Sequence, residues 1–313
     1  MEIPVYVING FLEAGKTSFI KSTLQDEDFS GGEKTLLLLC EEGIEEFDEK
    51  FLNKYNCVVE VVEEEEELNS DLLEELNRKH KPKKVMFECN GMWMMKNVFD
   101  SIPDGIWQIV QVITIVNNTT FSVYANNMKS LLADQVTNSE MVIFNRCEES
   151  DELVISRRMI KALNRRAQVF FEDERGELID VQDDVLPFDI NADVIEVEDD
   201  DYGIWYIDAM DHPDKLNGKK IKMKWIVYKP ENYPKQCFAF GRHAMTCCAD
   251  DIQFSGSSCV YEKAKELKEG DLIVLTGEIE SKYNPEYNEN VIFIKCKSYE
   301  KSQQPKDEIV YFS

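Results

Sequence analysis

Residues 10–17 read GFLEAGKT, which sets Gly10, Gly15, Lys16 and Thr17 in the pattern G-x-x-x-x-G-K-[ST]. The short apolar run Ile3–Ile8 precedes it and suits a central parallel strand, and Thr17–Leu24 follows as a helix start. Glycines let the backbone turn tightly and aim several N–H groups at phosphate oxygens. The N-terminus of the next helix adds a favourable dipole. In such a loop Gly10, Glu13, Ala14, Gly15 and Ser18 form the cradle. Lys16 contacts the β- and γ-phosphates, and the Thr17 hydroxyl ligates Mg2+. A strand before and a helix after separate this reading from a chance glycine-rich turn. Glu13 is the oddity. A carboxylate facing phosphates is unfavourable, so it is expected to point outward, toward a cation or a partner chain.

Outward from this loop, apolar runs recur as strands at Thr35–Cys40, Val58–Val62, Lys84–Glu88, Ile109–Val116, Met141–Asn145 and Ala167–Phe171. Helical spacing fills most gaps, at Leu68–Lys79, Thr120–Asn138 and Glu149–Asn164. Strands alternating with helices predict an α/β domain with a parallel sheet over residues 1–180. Residues 181–202 are acidic, broken by Pro187, and read as a linker. From residue 203 to 313, turns such as LNGKK and KPENYP separate strands at Lys219–Tyr228, Gln236–Arg242, Asp271–Glu280 and Val291–Ser298, with one helix at Val260–Leu267. This predicts a small β-rich, OB-like second domain.

Of the chain's 313 residues, 43% are hydrophobic and 31% charged, ample for a real core. No run approaches the roughly 18 apolar residues of a membrane span. MEIPVYVING has no basic n-region and reads as a strand, so a cytoplasmic protein is expected. The net charge of −26 falls almost wholly on residues 1–200, with 43 acidic and 19 basic side chains. That surface repels a nucleic-acid backbone and excludes nucleic acid as a partner. Nine cysteines in no disulfide spacing imply reduced thiols.

With these motifs in order, the chain resembles the CobW-type GTPases, the metallochaperone group of P-loop proteins. That family opens GFLGAGKTT, and this chain GFLEAGKTS. Its NE-x-G-x-x-x-x-D corresponds to Cys40-Glu41-Glu42-Gly43 and Asp48, and its E-[ST]-x-G to Glu88-Cys89-Asn90-Gly91. Its NK-x-D corresponds to Asn145-Arg146-Cys147-Glu148. The resemblance covers about residues 1–180. It implies that Glu88 holds Mg2+ through water and that the Gly91 N–H reports the γ-phosphate. Asp48, with Glu41 or Glu42, would sit in the first switch near the metal, while Asn145 and Glu148 would read guanine. Three departures stand out. The family's C-x-C-C is absent, since only Cys57 lies near that place; Arg146 replaces lysine; and Glu148 replaces aspartate, which leaves ATP open. The run Glu63–Glu67 reads as solvent-facing ahead of a helix.

The second module carries FGRHAMTCCAD at residues 240–250. It resembles the R-F-x-x-x-C-C-x-A-D motif of a bacterial domain of unknown function often linked with predicted permeases, over about residues 203–300. His243, Cys247 and Cys248 are either zinc ligands or packed core residues.

The expectation is therefore a cytoplasmic GTPase binding GTP and Mg2+, and by one reading Zn2+. It would couple hydrolysis to metal homeostasis through a client protein or a membrane permease, and family resemblance adds a homodimer. The alternatives are a nucleotide-dependent scaffold with little hydrolysis, and an ATPase.

Overall fold

The computed structural model describes residues 2–41, 43, 47–150, 152–181, 186–231, 233–245, 252–285, 288–302 and 309–311. The chain divides into two compact units, Met1–Val181 and Gln182–Ser313.

The first unit runs β1 (Ile3–Asn9), α1 (Lys16–Gln25), α2 (Glu27–Ser30), β2 (Thr35–Leu39), α3 (Glu49–Lys54), β3 (Cys57–Val61), α4 (Ser70–His80), β4 (Lys84–Glu88), α5 (Met95–Ser101), β5 (Trp107–Asn117), α6 (Asn118–Asn127), α7 (Lys129–Thr137), β6 (Met141–Asn145), α8 (Glu152–Leu163) and β7 (Gln168–Phe171). Its strands form one parallel sheet in the order β3-β2-β4-β1-β5-β6-β7. Two clusters of buried side chains, one around Val5, Leu36, Val85 and Phe87 and one around Ile8, Ile20, Leu37 and Met86, carry alternate residues of the same strands. Strand side chains alternate between faces, so the sheet is packed on both. The apolar runs lack a polar face because none of these central strands has one. The predicted helix Thr120–Asn138 is interrupted at Met128, whose φ of −132° and ψ of 39° lie outside the helical region.

Register fixes the site. Ile8 of β1 and Leu39 of β2 both pair with Glu88 of β4. The next residues continue the ladder, with the Cys40 N–H donating to Glu88 O and the Cys89 N–H donating to Ile8 O, each at 2.9 Å. The loops after β1, β2 and β4 therefore leave the sheet side by side, at the carboxyl edge where ligands bind in open parallel sheets.

The second unit runs β8 (Ile195–Val197), α9 (Tyr202–Asp211), β9 (Lys220–Tyr228), β10 (Cys237–Met245), β11 (Gln253–Val260), β12 (Leu272–Asn284), β13 (Glu289–Lys301) and β14 (Ile309–Tyr311). Strands β9, β10, β11, β13 and β12 pair in that sequence and β12 pairs back onto β9, so five strands close into a ring of the OB-like kind. Trp205 of α9 meets Trp225 of β9 with ring centroids 4.9 Å apart inside it. β8 adds to β9 from within the stretch read as linker. The predicted helix Val260–Leu267 does not form. Val260 pairs with Cys237 and Lys295 as the end of β11, which leaves one helical turn at Ala264–Glu266.

Candidate functional site

The phosphate loop is held by close backbone contacts that only glycine permits. Gly10 has φ +138°, and a Cβ there would lie 2.2 Å from the Ile115 carbonyl oxygen of β5. Gly15, at φ +101°, caps α1. The Ala14 N–H donates to Phe11 O at 3.1 Å and the Phe19 N–H to Gly15 O at 3.0 Å, which tightens the turn into the helix. Lys16 is only 3% exposed. Its ammonium donates to Gly10 O at 2.9 Å, to Phe11 O at 3.0 Å and to Glu41 Oε2 at 2.5 Å. The Thr17 hydroxyl donates to Glu88 Oε1 at 2.8 Å, and Glu88 is 4% exposed.

Gly91 lies against this loop. Its N–H donates to Glu41 Oε1 at 3.3 Å, and Gln135 Nε2 of α7 donates to its carbonyl at 2.9 Å. The preceding residue on α7, Asp134, accepts the Met95 N–H at 2.7 Å. One helix thus pins both sides of the loop after β4. Gln135 and Asp134 carry no local sequence signal for this, because their partners lie about forty positions away.

Beside these groups opens a cleft of about 410 Å³, whose lining does not include Gly91 or Asn145. The loop lines it with Glu13, Gly15, Lys16, Thr17 and Ser18, and Glu41, Glu88, Asn117 and Arg146 face it from elsewhere. Sequence reasoning did not find Asn117, which ends β5 in register with Asn145 of β6. Asn145 itself donates from Nδ2 to Ala14 O at 2.7 Å, and its buried Oδ1 has no hydrogen-bond partner among the described residues. Arg146, at φ +54°, donates to Glu13 O at 3.1 Å. Glu148 is exposed and outside the cleft lining. Asp48 is also outside it: its carboxylate caps α3 by accepting the Phe51 N–H at 2.7 Å.

Burial pushes the Cys89 thiol up to about 12 and raises that of Cys40 further, so both are protonated at neutral pH. The run Glu63–Glu67 stays at the surface, where Glu65 accepts from Asn97 Nδ2 at 2.7 Å. Of the second-domain candidates, His243 is exposed on β10 with its ring edge-on to Phe254 at 5.7 Å, and Cys247 and Cys248 lie outside the described residues. No group of three or more His, Cys, Asp or Glu that could hold a metal occurs among the described residues.

Glu13 is exposed, lines the cleft and sits in the left-handed region at φ +59°. That conformation costs a non-glycine residue about 1 kcal/mol. Glycine escapes that cost but loses a comparable amount of chain entropy on folding. We therefore expect Glu13→Gly to leave the melting temperature almost unchanged. It should tighten triphosphate binding about twofold, because two exposed unit charges roughly 8 Å apart in water repel by about 0.5 kcal/mol. Equal affinity for both chains in calorimetric titration would show that this carboxylate is electrostatically silent.

Residues 4–171 match the CobW/HypB/UreG nucleotide-binding domain family, and residues 179–312 match the DUF1980 C-terminal domain. No curated protein matches. Among solved structures, the chain is similar to the Zn(II)-bound YjiA GTPase from E. coli, at 20% identity and a TM-score of 0.42 over 55% of this chain and 58% of that one. It is also similar to the hydrogenase maturation factor HypB from Archaeoglobus fulgidus, at 13% identity and a TM-score of 0.39 over 56% of this chain and 82% of that one. The chain thus spans little more than half the length of YjiA. With the first match running over more than half of the sequence and containing the whole phosphate loop, the protein belongs to the CobW/HypB/UreG nucleotide-binding family and carries a DUF1980 domain after it.

Proposed function

We propose that the protein binds GTP with Mg2+, hydrolyses it slowly, and uses the nucleotide state to act on a partner through its second domain. The observation that carries this reading is the convergence of the buried Lys16 ammonium and the Thr17–Glu88 pair on one cleft, with Lys16 and the Gly91 N–H sharing the Glu41 carboxylate that lines it. Lys16 would hold the β- and γ-phosphate oxygens and offset the charge that develops as the phosphoryl group transfers. Gly91 would bind the terminal phosphate through its N–H. Thr17 Oγ1 and Glu88 supply the hard oxygen donors that Mg2+ prefers, and the bound ion would neutralise phosphate charge there. Asn145 has a buried acceptor with no partner beside the loop, which fits a base-contacting amide.

A second reading, ATP binding or a nucleotide-dependent scaffold with little turnover, draws on Glu148 and Asn145. Glu148 lies outside the cleft lining, and the Asn145 amide nitrogen is already committed to Ala14 O. The zinc reading for His243, Cys247 and Cys248 is supported by the sequence, and a role in metal homeostasis through a client or permease rests on the resemblance. No described helix is long and apolar enough to cross a membrane.

Calorimetric titration of the full chain with GTP, ATP and zinc in the presence of Mg2+ tests these together. We expect GTP to bind at least tenfold tighter than ATP, and phosphate release to be slow but above background. Uptake of neither triphosphate would refute the proposal. Equal affinities, or binding without turnover, would select the second reading. No heat with zinc, and no metal in the purified chain, would remove the zinc site.

A further inference from the structure

Lys16 has three ammonium protons, and all three are spent. Two go to the carbonyls of Gly10 and Phe11, and the third goes to Glu41 Oε2 at 2.5 Å. The Lys16 side chain is 2% exposed and that of Glu41 11%, so this ion pair sits largely out of water. The other Glu41 oxygen accepts the Gly91 N–H at 3.3 Å. One carboxylate therefore bridges the loop cation and the N–H after β4, two donors that a terminal phosphate would take. A carboxylate and a phosphoryl group present the same feature to such donors, a pair of anionic oxygens on one centre.

We propose that Glu41 is an internal competitor for the terminal phosphate, occupying its seat in the nucleotide-free chain. This rests on the reading of the cleft as a nucleoside triphosphate site. Three observations support it. Lys16 has no proton to offer a phosphate while Glu41 is seated. Glu41 is placed by the sheet rather than by chance, since the neighbouring Cys40 N–H is fixed to Glu88 O at 2.9 Å. A buried ammonium without a partner is costly, and Glu41 offsets that cost while the cleft holds no nucleotide. The carboxylate thus holds Lys16 and Gly91 in place and must leave when a third phosphate arrives. A diphosphate makes no demand on the Gly91 N–H and leaves Glu41 at least that bond. Glu41 consequently sets the ratio of triphosphate to diphosphate affinity.

The test titrates the full chain with Mg2+ and either a non-hydrolysable GTP analogue or GDP, in the wild type, Glu41→Gln and Glu41→Asp. Glutamine keeps the length and removes the charge; aspartate keeps the charge but is one methylene too short to bridge both donors. We expect the analogue to bind Glu41→Gln about tenfold tighter, or about 1.4 kcal/mol, with GDP changing less than threefold. Glu41→Asp should move the same way by a smaller factor, and it carries the test if the glutamine variant fails to fold. Unchanged or weakened analogue binding in a folded variant, beside a wild type that binds, would overturn the competitor and leave the triphosphate site standing. Binding by none of the chains would overturn both.

Discussion

Lys16→Ala is expected to lower triphosphate affinity by about two to four orders of magnitude and to remove measurable turnover. The lysine is the cation that reaches the cleft from beneath the loop, and each charge-assisted hydrogen bond it would make to phosphate is worth about 1.5–3 kcal/mol. Two such bonds give about 3–6 kcal/mol. The effect on the empty protein is smaller. Alanine leaves the carbonyls of Gly10 and Phe11 without that donor and Glu41 without its cation. Glu41 lies at the cleft edge and can turn its carboxylate to water, so the loss is about 1–3 kcal/mol rather than that of a sealed charge. For a domain of this size that is a fall of several degrees in melting temperature. Lys16→Arg does not rescue binding, because a planar guanidinium cannot replace a compact ammonium bonded on three sides. Calorimetry and phosphate release on folded protein check the claim. Hydrolysis at the wild-type rate in Lys16→Ala would place the chemistry elsewhere.

The readiness of the sequence to reveal this site varied with the range of the contacts. The phosphate loop was legible because its glycines, lysine and threonine are contiguous and flanked by an apolar strand and a helix start. The first sheet was legible as class and element order, since strands buried on both faces read as unbroken apolar runs. Helix α9 was not. Its residues YGIWYIDAMD are apolar nearly all round, with Tyr202, Trp205 and Ala209 buried, so no 3.6-residue stripe marks it. Strand β11, QFSGSSCV, looks like a loop because serine and glycine dominate it. Its pairing depends on Gly241 opposite Gly256, where a Cβ on Gly241 would lie 2.1 Å from Ser255 O. That is a property of two strands together.

The site divides the same way. The resemblance names Glu88, which lines the cleft, and Gly91, which lies against the phosphate loop; it also names Asp48 for the metal, whereas the structure has that carboxylate capping α3. Asp48 stands just before Glu49–Lys54, and an aspartate there has a ready N–H partner three residues on. Glu41 and Glu42 were equivalent on paper. The structure places Glu41 on Lys16, and Glu42 lies outside the described residues.

Gly91→Ala should be nearly as damaging to binding as loss of the lysine, although it removes no hydrogen-bonding group. A Cβ on Gly91 would stand 2.7 Å from Gly10 O and 2.7 Å from Phe11 Cα, both backbone atoms of the phosphate loop. The loop cannot retreat, because Gly10 already lies against β5, where its own missing Cβ would sit 2.2 Å from Ile115 O. Gly91 is also held on its far side, by Gln135. The added methyl must therefore open the gap between the two loops that build the site. Overpacking of this kind costs about 1–3 kcal/mol of stability, and a displacement on the order of 1 Å costs about a hundredfold where several groups must meet one ligand. Gly176→Ala separates this effect from backbone strain. Gly176, unlike Gly91, needs a left-handed conformation, at φ +80°, and nothing lies within 4 Å of its Cβ position. It should cost about 1 kcal/mol of stability and leave GTP affinity unchanged. If Gly91→Ala binds triphosphate as tightly as the wild type, the two loops are softer than their contacts imply, and the Gly91 N–H is not fixed in place by the phosphate loop.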